Sequence, residues 1–322
     1  WGFESSLGHL FIFFFLVAKL DAQNIIFETE LPISVYETSG LEIVDNNLIT
    51  IKPNIKFKEV MKKVSTNDIV KNATCDFDPT STLTLSERIL QPEEFQVNLQ
   101  LCKKDFISDW EAASMGASAY SNMPSKFSDF LIAHVADKVA QKLENNIWGG
   151  TNANAGEFDG FRTTLLADAD VTDVGAGAAV DSSNVIAKMG LVVDAIPSPV
   201  YGADDLFIYV SANVYRAYVR ALGGFASNVG AAGTNDEGPQ WFNGGALTFE
   251  GINVVLAQGL ASNTMVAAEK SNLFFGTGLL NDTNEVKVID MAEIDGSQNI
   301  RVVMRFTAGI QHAIGGDIVL YS

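Results

Sequence analysis

Between Pro124 and the Gly149-Gly150 pair, apolar residues recur every four positions: Phe127, Leu131, Val135, Val139, Leu143 and Ile147. That step keeps the side chains on one stripe of an α-helix, with Ser125 placed to cap its start and the glycines to end it. A helix over about 125–148 is a rod of roughly 35 Å, and its single apolar stripe needs a sheet to lie on. The segments around it alternate strands and helices, so the class is α+β or mixed α/β, with α+β the reading adopted.

Strand signals dominate both sides of the rod. From Asn24 to about Asn54, short apolar pieces alternate with turn signals at Leu31-Pro32, Ser39-Gly40 and Asn46-Asn47, which reads as an extended arm. Residues 55–104 read as a long two-stranded excursion. Its return limb places Phe95, Val97, Leu99 and Leu101 on one face and Gln96, Asn98 and Gln100 on the other, the period of a half-buried strand. A long hairpin has little core of its own, so this face is expected to need a partner surface. Asp105 can cap a short helix through Trp110 to about Ser114. Beyond the rod, helix 183–196, strand 206–210 and a Ser211-capped helix precede a Gly-, Asn- and Ala-rich loop at 223–246. Strands are expected at about 247–257, 264–269, 285–294, 299–308 and 316–321.

The net charge of −18 speaks against sequence-reading nucleic-acid binding, because such a chain has no overall pull on phosphates. One window is reversed. Lys52, Lys56, Lys58, Lys62, Lys63 and Lys71 stand against Glu59 and Asp68 alone, so this basic arm is either a self-association device or a solvated face. Cys75 and Cys102 are the only cysteines and form no disulfide framework or zinc motif, which fits synthesis in a reducing cytosol. The apolar run Leu10 to Ala18 is too short to span a bilayer, and no positive charge precedes it. Residues 1–22 are expected to be a leader or an arm segment, with no membrane partner.

Catalytic and metal motifs are absent. His9, His134 and His312 are not paired at ligand spacing, and Gly276-Thr-Gly278 reads as a tight turn. Asp168, Asp170 and Asp173 lack the glycine and the twelfth-position acid of a calcium loop. Glu93-Glu94 and Asp204-Asp205 are adjacent, so on a strand each pair would point to opposite faces. The expectation is no enzyme, no cofactor and no metal.

Several segments in order carry a family resemblance. They are SERILQPEEFQVNLQLCKKDF at 86–106, KLENNIWGG at 142–150, FDGFRTTLLAD at 158–168, SNLFFGTGLLNDTNEVKVID at 271–290 and RVVMRFTAGIQHAIGGDIVLYS at 301–322. From about Asn24 to the end the chain resembles the major capsid proteins of tailed double-stranded DNA phages, with the Hong Kong 97-like fold. The local sequences are most similar to those of crAss-like phages of Bacteroidota. The resemblance implies an N-arm at 23–54, an E-loop at 55–104, and a peripheral domain at 105–160 that contains the spine helix. It further implies an axial domain over most of 161–298 and return strands at 299–322.

What the resemblance implies about function is structural. Copies would assemble into hexamers and pentamers of an icosahedral shell around packaged DNA, which the shell encloses without sequence-specific binding. Portal, decoration or scaffolding proteins would be partners, the virion the final location, and the bacterial host cytoplasm the place of assembly. Each E-loop would lie over a neighbour, which assigns the assembly interface to Lys62, Lys63, Phe95, Val97, Leu99 and Leu101. No local pattern licenses the covalent Lys–Asn crosslink of some relatives. Rival readings are an encapsulin-type compartment shell, a secreted bacterial surface protein with 1–22 as its signal, and an unrecognised enzyme.

Overall fold

The structure, a computed structural model, describes residues 48–66, 70–73, 75, 82–106, 125–175, 179–222, 247–278 and 286–322. The arm upstream of residue 48, most of the helix expected at 105–114 and the 223–246 loop lie outside the described residues.

The rod is helix α2, Ser125–Gly149, preceded by the short α1, Lys103–Phe106. Leu131, Val135, Val139, Leu143 and Ile147 are buried in one apolar core, as the four-residue stripe requires. Gly150 then has to be a glycine: a Cβ there would stand 2.3 Å from the Phe158 carbonyl oxygen. That close approach brings α3, Phe161–Ala167, back against α2, where Trp148 meets the rings of Phe161 at 5.4 Å and Tyr209 at 5.1 Å.

The surface beneath the rod is a five-stranded sheet. Its centre is β12, Asn299–His312, which extends to 312 where the sequence pattern suggested 308. On it pair β4 (Glu93–Cys102), β10 (Leu273–Gly276) and β11 (Val286–Asp290), and β1 (Thr50–Lys52) joins β10 in parallel. β4 runs antiparallel to β12 from Asn299↔Cys102 to Ala308↔Glu93. This corrects the expected excursion over 55–104: its return limb is a strand of the body. Phe95, Val97 and Leu101 pack against the chain's own core, and Phe95 lies 5.9 Å from Phe158 and 5.6 Å from Phe306. Leu99 alone of that face is left 42% exposed. The reason is long-range pairing: β12, some 200 residues away in sequence, holds β4 in the body sheet, whose apolar face lies on the core around α2.

A six-stranded sheet makes the second layer, in the order β5, β13, β9, β6, β8, β7. These strands are β5 (Thr172–Asp173), β6 (Leu206–Val210), β7 (Leu247–Phe249), β8 (Ile252–Leu256), β9 (Met265–Glu269) and β13 (Val319–Tyr321). The run expected as one strand at 247–257 is the hairpin β7–β8, reversed at Glu250-Gly251, both with positive φ. Helices α4 (Val185–Asp194) and α5 (Ala212–Leu222) cover one face. The strands divide cleanly: Leu206, Ile208 and Val210 join the core under these helices, while Phe207 and Tyr209 join the core around α2. A strand buried on both faces shows no polar alternation, which explains LFIYV. The expected strand 285–294 gives way to a 3-10 turn at Met291–Glu293, and 316–321 begins with another at Gly315–Asp317.

The remaining pair, β2 (Glu59–Thr66) and β3 (Leu83–Leu90), forms a two-stranded sheet with register from Glu59↔Leu90 to Thr66↔Leu83. Among the described residues no helix is long and apolar enough to cross a membrane.

Candidate assembly surface

Side chains alternate along each strand, and paired residues share a face. Val60, Lys62 and Val64 therefore lie beside Ile89, Glu87 and Leu85, with Leu83 beyond them. This face is apolar except for Thr66 at its far end, opposite Leu83, and for Lys62 and Glu87, which pair across the strands at 3.9 Å. It is also open: Val64 is 56% exposed, Leu85 60% and Leu83 63%. Burying such side chains fully is worth about 1.5–3 kcal/mol each, so the hairpin carries unused association energy.

The opposite face holds Met61, Lys63 and Ser65 beside Arg88, Ser86 and Thr84. Lys62 and Lys63 therefore serve different faces. Of the residues expected at the interface, Lys62 lies on the open apolar face, Lys63 behind it, and Phe95, Val97 and Leu101 in the body. The apolar residues that sequence reasoning passed over are Val60, Val64, Leu83, Leu85 and Ile89. Their signal was present, since LTLSERIL alternates Leu83 and Leu85 with Thr84 and Ser86.

The root of the hairpin is tied down. Leu90 is fully buried, and a Cβ on Gly276 would stand 2.9 Å from Ile55 and 3.0 Å from Leu90. Lys52 pairs with Glu59 at 2.5 Å, and Gln311 Nε2 donates to the Ile89 carbonyl at 3.0 Å. Arg88 reaches the Asp168 carboxylate at the end of α3, and the same oxygen lies 2.7 Å from His312 Nε2. Burial pushes the His312 pKa down against the opposing bond to Asp168, so the ring is neutral at neutral pH. Burial works to raise Asp168, but bonds from His312, the Asp170 amide and Arg88 outweigh it and hold the carboxyl below its usual range.

The other sequence candidates are not gathered into a reactive site. Asp168 is engaged as above, and Asp173 accepts from the Gly175 amide and the Ser322 hydroxyl. Glu93 accepts from Asn152, and burial followed by the nearby Asp159 charge raises its pKa. No group of three metal-ligating side chains occurs among the described residues. A cleft of about 380 Å³ beside β8 is lined by turn residues with Asp204 and Glu250, and contains no histidine, cysteine or lysine. His134 lies exposed on α2, and Cys75 and Cys102 are free thiols.

No protein-family model and no curated protein matches the sequence. Solved structures do. The capsid of an empty GTA particle superposes with a TM-score of 0.57 at 13% identity, over 88% of this chain and 89% of that one. A chain of Mycobacterium phage Adephagia gives 0.57 at 12% identity, over 88% and 90%. One of Microbacterium phage Oxtober96 gives 0.53 at 16% identity, over 95% and 96%. The fold is the Hong Kong 97-like capsid fold.

Proposed function

We propose that the chain is a major capsid subunit that self-assembles into a viral shell, a structural role and not a catalytic one. The observation that carries this reading is the β2–β3 hairpin: an apolar face left open on a chain with a capsid fold. The hairpin acts as the E-loop and lies over a neighbouring copy, which covers Val60, Val64, Leu83, Leu85 and Ile89. Residues 23–54 act as the N-arm, 105–160 and 299–322 form the peripheral domain, and most of 161–298 forms the axial domain. A hairpin reaching from each copy to the next makes a head-to-tail contact that closes by rotation into hexamers and pentamers. Each contact is modest, and their number makes the shell stable.

The acidic balance supports an enclosing role. A wall with net charge −18 per copy repels phosphate, so double-stranded DNA can be spooled inside without sticking. Portal, scaffolding or decoration proteins join the same virion, assembled in a bacterial cytoplasm. The segments at 86–106 and 301–322 support an origin near the crAss-like phages of Bacteroidota.

Electron microscopy and sedimentation of the purified full chain test the proposal. Icosahedral particles or hexameric and pentameric rings are expected, and a strictly monomeric chain at high concentration would sink it. Deleting about 60–85 should leave a folded subunit that no longer assembles. Normal particles from that deletion would remove the hairpin from the mechanism.

A further inference from the structure

The root of the hairpin contains a three-residue cluster that packing alone does not require. His312, the last residue of β12, is wholly buried, and Asp168 is largely so. Arg88, from the hairpin itself, is the most accessible of the three, with a quarter of its side chain exposed. Both bases converge on one oxygen, Asp168 Oδ2, while Oδ1 accepts from the Asp170 amide at 3.1 Å. The remaining ring nitrogen, His312 Nδ1, is buried with no hydrogen-bond partner among the described residues.

We propose that Arg88, Asp168 and His312 form a latch that fixes the angle at which the hairpin leaves the body, and that a second proton on His312 releases it. With one proton, on Nε2, the imidazole donates to Asp168 and leaves the carboxylate charge to Arg88. A second proton would sit on Nδ1, where no acceptor stands ready, and would set two cations against a single carboxylate. The imidazolium cannot withdraw, because its ring is enclosed. Arg88 can, because its guanidinium already touches water and is well solvated there. Its departure unfastens β3 one residue before Ile89, whose carbonyl is held by Gln311.

Other charges near the cluster do not substitute for Arg88. Asp170 follows on the same loop, and its Cβ and the Asp168 carboxylate both crowd the space beside Gly315. Asp317, in that same 3-10 turn, raises the pKa of Glu269, as does Asp205, behind the larger effect of burial. Lys52 and Glu59 satisfy each other at the start of β2. Asp168 and Arg88 are the charged groups whose fields act on the imidazole.

This inference rests on the assembly reading for its consequence but not for its test. Two spin labels would be placed on the unassembled full chain at Ser65→Cys in β2 and Ala133→Cys in α2, with Cys75→Ser and Cys102→Ser. Pulsed electron resonance then reads the hairpin-to-body distance. One narrow distance is expected at neutral pH, lost as the solution is acidified progressively below the ordinary histidine value of about 6.5. His312→Gln, which keeps an N–H for Asp168 but cannot take the second proton, should stay narrow throughout. Arg88→Gln should lose the narrow distance at neutral pH, and Arg88→Lys should restore it. An Arg88→Gln distance as narrow as that of the unsubstituted chain would overturn the latch. So would an unsubstituted distance indifferent to acid, a comparison that needs no core variant to fold. Particle formation is a separate readout: a latch that releases as expected in a chain that stays strictly monomeric would sink the assembly reading and leave the latch standing, and particles formed by a chain whose Arg88→Gln distance stays narrow would do the reverse.

Discussion

Single residues set two acid-sensitive windows. His312 has a depressed pKa in the fold, so the unfolded chain binds its proton more readily. Stability therefore falls as pH drops below about 6.5, the ordinary histidine value, and stops falling once the native ring is also protonated. Glu157 behaves in the opposite chemical sense. Its carboxyl is lowered to about 2 by bonds from the Lys142 ammonium first, then Asn154 and the Thr151 amide. Its contribution is complete above about 4.5 and is lost as pH falls toward 2, so denaturant midpoints measured against pH should show two separated declines in the parent chain. His312→Gln should remove only the upper one. Glycines divide just as sharply. A Cβ on Gly190 in α4 meets nothing within 4 Å, so Gly190→Ala should stabilise by about 0.5–1 kcal/mol. Gly150→Ala should destabilise strongly, because its Cβ has a carbonyl 2.3 Å away. Thermal melts of the two variants should move in opposite directions.

At the level of elements, the hairpin is where substitutions should act on assembly and spare folding. Leu85→Glu places a charge on the open face beside Glu87 and removes apolar area that the monomer does not use. Particle formation should fall steeply, while the unfolding curve of the dilute subunit moves by less than about 0.5 kcal/mol. Lys62→Glu should act in the same sense, since it sets two acids against each other across the strands, whereas Lys63→Glu alters the other face. Light scattering of the two variants at equal concentration separates these roles. The contrast with β4 shows what a sequence can and cannot disclose. The rod at Ser125–Gly149 was legible because its stripe, its start and its glycine stop are all local. The apolar faces at 95–101 and at 60–64 with 83–89 alternate alike, and alternation says only that one side of a strand avoids water. Which side finds cover within the chain depends on β12 pairing with β4, a contact spanning some 200 residues. The Arg88–Asp168–His312 cluster was hidden for the same reason, since its members lie 80 and 144 positions apart.

For the molecule as a whole, copies that carry −18 each repel one another before any hairpin can dock. The apolar face is insensitive to salt, while this repulsion is screened over about 8–10 Å at physiological ionic strength. Assembly measured by sedimentation should therefore rise as salt is increased from very low values. A monotonic fall would instead assign the attraction to the lysine-rich limb. Another whole-molecule property follows from the six-stranded sheet, whose β6, β9 and β13 send alternate side chains into both apolar cores. Neither core can melt while the other keeps its wall, because the same strands wall both. Calorimetry of the subunit should give one endotherm, with calorimetric and van't Hoff enthalpies in agreement, despite two bodies of packing that would otherwise melt as separate domains.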